Sequence, residues 1–263
     1  MTVSTKKTVA TVALLISDLH LQEAHPHTMQ AFLDFLQTHA RHTQQLYLLG
    51  DLFEYWAGDD DLETPFNQHI ASAIREVSDS GVKVFWIAGN RDFLVGEVFA
   101  KEAGLTLLPD PYVITIAGRR ITLAHGDAQC TDDVAYMAFR AQVRQPAFQQ
   151  HFLSKSLTER KAFIAGARKE SQAEQKHKTM EIMDVNAPAI ADLFTTTNTD
   201  TLIHGHTHRP ALHHYPDSSR RRYVLPDWEY EGEDNAIKRG GWIAIDNDAV
   251  IRRFGYDGQE INE

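Results

Sequence analysis

The chain has 263 residues, 43% of them apolar, enough for one large domain with a real core, which excludes a disordered polypeptide. A net charge of -10 excludes bulk affinity for nucleic acid, so an anionic substrate must be met by local positive charge or by metal. The single cysteine, Cys130, excludes an intramolecular disulfide and reads as a buried, inert thiol in a reducing compartment.

Lys6 and Lys7 precede an apolar run over residues 9–16, in the manner of a secretory leader. The run lacks a small-x-small cleavage site and ends on Ser17, Asp18, Leu19 and His20, so it reads as a buried strand. Residues 29–40 place Met29, Phe32, Leu33 and Leu36 on one helical face. A second strand over 46–49 stops before Asp51, and a helix over 67–77 carries Ile70, Ile74 and Val77. The run over 82–88 stops before Asn90, and a short helix over 97–103 is closed by Gly104 as a left-handed cap. Strands over 121–124 and 201–203 stop before His125 and His204. Strand-helix alternation predicts an α/β fold, whose ligands gather in loops beyond the carboxyl ends of the strands. The five polar stops converge there.

Between His125 and His204 the pattern changes. Residues 132–183 contain no convincing strand and read as several helices, the first two separated by Pro146. This stretch holds nine Lys or Arg against six acids, with a dense set of apolar and aromatic residues, which suits an inserted helical cap within a single domain over 1–263. A helical layer with a solvated basic face is the alternative. Beyond Tyr215 the basic triplet at 220–222 and the acidic stretch 227–234 read as a solvated hairpin or loop without function, and 241–245 as a strand. No run reaches the roughly 20 apolar residues of a spanning helix, which predicts a soluble or peripheral protein.

Asp18 and His20 lie at i and i+2, which an extended backbone directs to one side. Asp51 supplies a carboxylate able to bridge two cations, Asn90 a neutral amide oxygen, and His125, His204 and His206 imidazoles, with glycines between to bring the backbone close. Mixed O and N donors without thiolate suit Mn(II), Fe(II), Co(II) or Zn(II). The residues 59–61, all Asp, do not follow a strand and read as a structural loop.

The order Asp-x-His, Gly-Asp, Gly-Asn, His-Gly, Gly-His resembles the calcineurin-like metallophosphoesterase superfamily. Within it, ISDLH at 16–20, LGDLFE at 49–54, GDDD at 58–61, GNRDFL at 89–94, HGD at 125–127, CTDD at 130–133, IMDVN at 182–186 and IHGHTHRP at 203–210 are similar to the UDP-2,3-diacylglucosamine pyrophosphatases of lipid A biosynthesis. The likeness runs from about Leu14 to Pro210 and weakens after it.

The resemblance implies a four-layer α/β/β/α sandwich with a helical cap inserted over the site. It implies two divalent cations, most simply Mn(II), one held by Asp18, His20, Asp51 and His206 and the other by Asp51, Asn90, His125 and His204. The implied reaction is attack of an activated water on the α-phosphorus of UDP-2,3-diacylglucosamine, giving UMP and 2,3-diacylglucosamine 1-phosphate. Catalysis falls to Asp51, Asn90, Arg91 and His125, and substrate contacts to Asn90, Arg91, Asp133, Ser171, Gln175, Lys178 and His204; the family carries Asn where this chain has Gln175.

Many superfamily members place His where Arg91 stands, able to protonate an alcohol leaving group; arginine cannot do so. It suits a phosphate leaving group, unless it merely pairs with Asp92. His208 reads as a neighbour of the ligands, and His213 and His214 as surface residues. A monomer working at the cytoplasmic face of the bacterial inner membrane completes the expectation. A hydrolase of soluble nucleotide diphosphate compounds, a protein phosphatase and a metal-dependent scaffold without turnover are the competing readings.

Overall fold

The computed structural model describes residues 10–175, 184–216, 218–231 and 238–262. Its first half alternates as the apolar runs predict: β1 (Thr11–Ile16), α1 (Pro26–Thr38), β2 (Gln45–Leu48), α2 (Pro65–Asp79), β3 (Lys83–Ile87), α3 (Glu97–Ala103) and β4 (Leu105–Leu108). The β1, β2, β3 and β4 strands run parallel. A hairpin of β5 (Tyr112–Ile116) and β6 (Arg119–Ala124) opens a second sheet, followed by helices α4 (Val134–Val143), α5 (Pro146–Leu153), α6 (Leu157–Gln175) and α7 (Ala187–Thr197). The remaining strands are β7 (Thr201–His204), β8 (Ala211–His214), β9 (Arg221–Val224), β10 (Gly241–Asp246) and β11 (Ile251–Gly255). Two sheets result, ordered β11-β10-β1-β2-β3-β4 and β5-β6-β7-β9-β8.

Alternation of side chains along the strands builds the layers. Ala13 and Leu15 of β1 join Tyr47, Ile87, Ile121, Leu123, Ile203 and Tyr223 in a core between the sheets. Leu14 and Ile16 point the other way, onto Phe32, Phe35 and Leu36 of α1 and Ile70, Ile74 and Val77 of α2. On the far face of the second sheet, Ala124 and Leu202 pack against Ile190, Leu193 and Phe194 of α7. The order is therefore helices, sheet, sheet, helix: an α/β/β/α sandwich.

Local chemistry sets the helix ends. Thr64 caps α2 by accepting from Asn67 N, and Pro65 enters where its missing N–H costs nothing. Gly104, at φ 68°, closes α3 in the left-handed conformation expected of it. Asn186 caps α7 by accepting from Ala189 N at 3.0 Å.

The tail departs from expectation. Arg221 and Arg222, of the triplet read as a solvated hairpin or loop, lie in β9, which pairs antiparallel with β8 but also parallel with β7 inside the second sheet. The triplet escapes a period-2 pattern because Arg222 is buried, only 8% exposed, among polar groups. Among the described residues, no helix is long and apolar enough to cross a membrane.

Candidate metal centre

Every predicted ligand sits just beyond, or at, the carboxyl end of a parallel strand: Asp18 and His20 after β1, Asp51 after β2, Asn90 after β3, His125 after β6, and His204 and His206 at β7. The loops are latched by backbone bonds: Asp18 N donates to Gly50 O, His20 N to Asp51 O, and Gly205 N to His125 O, at 2.9–3.1 Å.

Five residues here hold left-handed backbones: Asp18 (φ 55°), His20 (49°), Asp51 (52°), His206 (66°) and His208 (54°). Non-glycine residues rarely adopt this region, and such outliers concentrate at functional sites, held by the surrounding structure. Close approach demands glycine between them. A Cβ on Gly89 would meet Asp51 Oδ1 at 2.1 Å, and one on Gly205 would meet Asp18 Oδ2 at 2.2 Å.

The donor set fits cations. His125, fully buried, donates Nδ1–H to Leu49 O at 2.8 Å, leaving its Nε2 lone pair facing Asn90 Oδ1 at 3.0 Å and Asp51 Oδ1 at 3.7 Å. Three lone pairs converging in a dry site require a shared positive charge. Burial opposes charge on the His125 ring, yet Asp51, Asp18 and Asp127 hold its pKa up at about 9, so the surroundings favour a cation there. Asp18, also fully buried, accepts from His206 N through Oδ2 at 2.8 Å and leaves Oδ1 without a hydrogen-bond partner. Burial would raise its pKa, but His208, His125 and His20 keep the carboxyl well below the usual range.

Two ligand groups are brought together, each with donor atoms within 4.8 Å of one another: Asp18, His20 and His208, and Asp51, His125 and His206. His208, expected only as a neighbour of the ligands, is thus a member of the first group, its Nε2 3.5 Å from Asp18 Oδ1 and 3.3 Å from His20 Nε2. His204 is turned differently. Its Nδ1 faces Gly205 O at 2.9 Å, and its Nε2 lies 3.1 Å from Nη1 of Arg222. Burial and Arg222 push its pKa down to about 3, and burial and His125 take His206 to about 4, so both rings are neutral, as coordination requires.

Arg91 does not pair with Asp92. The Asp92 carboxylate is fully buried and accepts from Gly89 N (2.9 Å), Leu52 N (2.8 Å) and Asp51 N (3.3 Å), tying the Gly-Asp and Gly-Asn loops together. Arg91 donates its own backbone N–H to Asp51 Oδ1 at 2.8 Å, and its Nε has no partner.

Of the expected substrate contacts, Asp133 caps α4 by accepting from Tyr136 N at 3.1 Å. Ser171 and Gln175 fall on α6, where only the backbone is described, and Lys178 lies outside the described residues.

Five of the nine basic residues of the helical stretch are engaged by carboxylates of the surrounding loops. Arg140 and Arg144 reach Asp127, Arg160 pairs with Asp60, Lys161 with Asp61, and Arg168 with Glu54. Glu54 also lies 3.0 Å from His20 Nδ1, so it joins α6 to the first ligand group. Asp59 accepts from Gly96, Val98 and Phe99 N–H at 2.9–3.1 Å and thereby caps α3, so the acidic run works structurally. A cavity of about 520 Å³ is lined by Asp59, Asp60, Glu63 and Glu102, acidic groups unsuited to an anionic substrate.

Three contributors escaped the sequence reading. Asp127 is buried and accepts from Tyr136 Oη at 2.6 Å and Arg140 Nε at 2.8 Å. Asp227, 4% exposed, lies 3.6 Å from His208 and pairs with Arg239 at 2.7 Å. Arg222 touches His204. Asp127 stood inside a quoted motif, while Arg222 and Asp227 stood inside the charged segments read as a solvated hairpin or loop without function.

Oxygen and imidazole ligands at the ends of parallel strands in a two-sheet sandwich define a metal-dependent phosphoesterase, and the chain belongs to the calcineurin-like phosphoesterase family, matching it over residues 12–210. A protein of Aromatoleum aromaticum named UDP-2,3-diacylglucosamine hydrolase is 50% identical over 218 residues, covering 82% of this chain and 89% of that one. Proteins of the same name from Stenotrophomonas maltophilia (46% over 238 residues, 87% and 96% covered) and Klebsiella pneumoniae (48% over 221, 83% and 92%) are similar to it as well.

Proposed function

We propose that the chain is a metal-dependent hydrolase of UDP-2,3-diacylglucosamine in lipid A biosynthesis, releasing UMP and 2,3-diacylglucosamine 1-phosphate. The observation that carries the chemistry is the meeting of buried His125 Nε2, Asn90 Oδ1 and Asp51 Oδ1 lone pairs beside Arg91, whose Nε has no hydrogen-bond partner. The substrate follows from the name that the three relatives carry.

Asp18, His20, Asp51 and His206 would hold one divalent cation, and Asp51, Asn90, His125 and His204 the other, with Asp51 between them and Mn(II) the expected metal. Bound there, the pair supplies Lewis acidity toward the phosphoryl oxygens and lowers the pKa of water. For His204 to coordinate through Nε2, Arg222 must release that nitrogen. Asn90 orients the phosphoryl group. Arg91, always charged, stabilises the departing phosphate instead of donating a proton. Asp133, Ser171, Gln175 and Lys178 would contact the sugar-phosphate half from a cap formed by 132–183. The apolar residues of that cap, with Phe139, Leu153 and Phe163 exposed, would accept acyl chains at a membrane surface. A peripheral monomer at the cytoplasmic face of the inner membrane fits this substrate.

The test is a mass-spectrometric product assay comparing UDP-2,3-diacylglucosamine with UDP-N-acetylglucosamine. Release of UMP from the acylated compound alone is expected. Equal turnover of both would remove the lipid assignment and leave the metal chemistry standing.

A further inference from the structure

A second cavity, of about 210 Å³, lies on the outer face of the second sheet, between the loop after β7 and the strands β8 and β9. It shares a wall with the metal centre, because Arg222 lines it and reaches His204 at 3.1 Å, while Thr207 stands between His206 and His208. Two of its polar groups are unsatisfied. Arg222 is 8% exposed, with Nε unpartnered and, among the described residues, no carboxylate in ion-pair reach; Thr207 Oγ1 is likewise buried without a partner. A buried guanidinium left this way costs free energy that an acceptor-bearing ligand recovers. Arg209, by contrast, is matched by Asp184 at 2.9 Å.

The lining selects the ligand. Donors from Arg222 and Thr207 face an acceptor, the Asp184 carboxylate, and Pro210, Ala211 and Val224 supply apolar walls. Asp184 is already neutralised by Arg209, so Arg222 and Thr207 remain the donors still to be met, and the carbonyl oxygens of a polar ring would accept from both. The volume is below the roughly 300 Å³ at which whole-ligand pockets begin, so it holds one end of a longer molecule. Among the described residues none of α4, α5 or α6 lines it, which suits the half of the proposed substrate that those helices would not take.

We infer that this cavity receives the nucleoside end of the nucleotide-linked substrate, with Arg222 and Thr207 donating to its oxygens. The inference rests on the proposed substrate. Ala211→Leu fills the cavity from an edge strand without touching a metal ligand, and His213→Ala removes a polar wall as an independent second variant. Binding of UMP to the Mn(II)-loaded protein is measured by calorimetry, beside hydrolysis of bis(4-nitrophenyl) phosphate, which has no nucleoside. Both variants should weaken UMP by about tenfold or more while leaving the small diester's hydrolysis unchanged. Failure of UMP to bind the wild-type protein, or equal UMP affinity in all three proteins, would overturn the inference. Because the readout is binding, failure of the substrate assignment appears separately, as absence of UMP release from UDP-2,3-diacylglucosamine.

Discussion

His125 Nε2 lies 3.0 Å from Asn90 Oδ1 while the opposite ring nitrogen donates to Leu49 O, so an acceptor faces an acceptor unless a cation or proton lies between them. This pair ties the ends of β3 and β6, one from each sheet, into a single site.

A proton can substitute for metal there, which gives the metal-free protein a pH signature. An unfolded histidine releases its proton near pH 6.5, and folded His125 near 9. The associated stability is fully present below pH 6.5 and is lost as pH rises through about 9, a change on the order of 3 kcal/mol. Asp92, its pKa raised by burial and by Asp51, acts in the same sense at lower pH. Calorimetric melting of the chelated protein should therefore fall from pH 7 to 9, and saturating Mn(II) should flatten the fall. A rising melting temperature across that range would contradict this account.

Gly89→Ala places a methyl group 2.1 Å from Asp51 Oδ1 and 2.3 Å from Asp51 N. Overpacking of this kind costs about 1–3 kcal/mol, and displacing the Asp51 carboxylate, proposed to hold both cations, should cost about a hundredfold in turnover. Urea denaturation and steady-state kinetics measure the two effects separately.

Arg91→Ala should lower kcat by about a hundredfold to a thousandfold with a smaller change in KM, since the charge is needed most as the phosphate departs. Arg91→Lys, which keeps charge and loses the bidentate fork, should recover only part of the rate. A loss confined to KM would make Arg91 a ground-state binding residue.

Asp127→Asn should detach α4 from the His125 loop. Asp127 is buried between Tyr136 and Arg140, where burial works against its charge and His125, His206 and Arg140 hold it well below the usual carboxylate range. Weakening charge-assisted hydrogen bonds here should cost about 1.5–3 kcal/mol. Hydrogen exchange should rise in α4 and not in α2, which shares none of these contacts.

The polar stops at the strand ends were legible because each followed an apolar run and because the strand-helix alternation is local. Gly104 as a cap and Pro146 as the start of α5 follow from backbone chemistry alone. Arg222 and Asp227 were not legible: their roles come from β9 pairing beside β7 and from a loop folding back so that Trp228 N reaches Asp18 O at 2.9 Å. Nor does a positive balance over 132–183 reveal that Arg140, Arg160, Lys161 and Arg168 each meet a loop carboxylate. Helix α7 escaped because its apolar stripe, Ile190, Leu193 and Phe194, is short and merges with a Thr-rich end.

The most direct test is UMP release from UDP-2,3-diacylglucosamine by the wild-type chain and by Asp51→Ala, each assayed after chelation and after Mn(II) is restored. The account predicts release by the wild-type chain that chelation abolishes and Mn(II) restores, and no more than about a thousandth of that rate from Asp51→Ala with metal. Undiminished release by Asp51→Ala, or by the chelated wild-type protein, would contradict it.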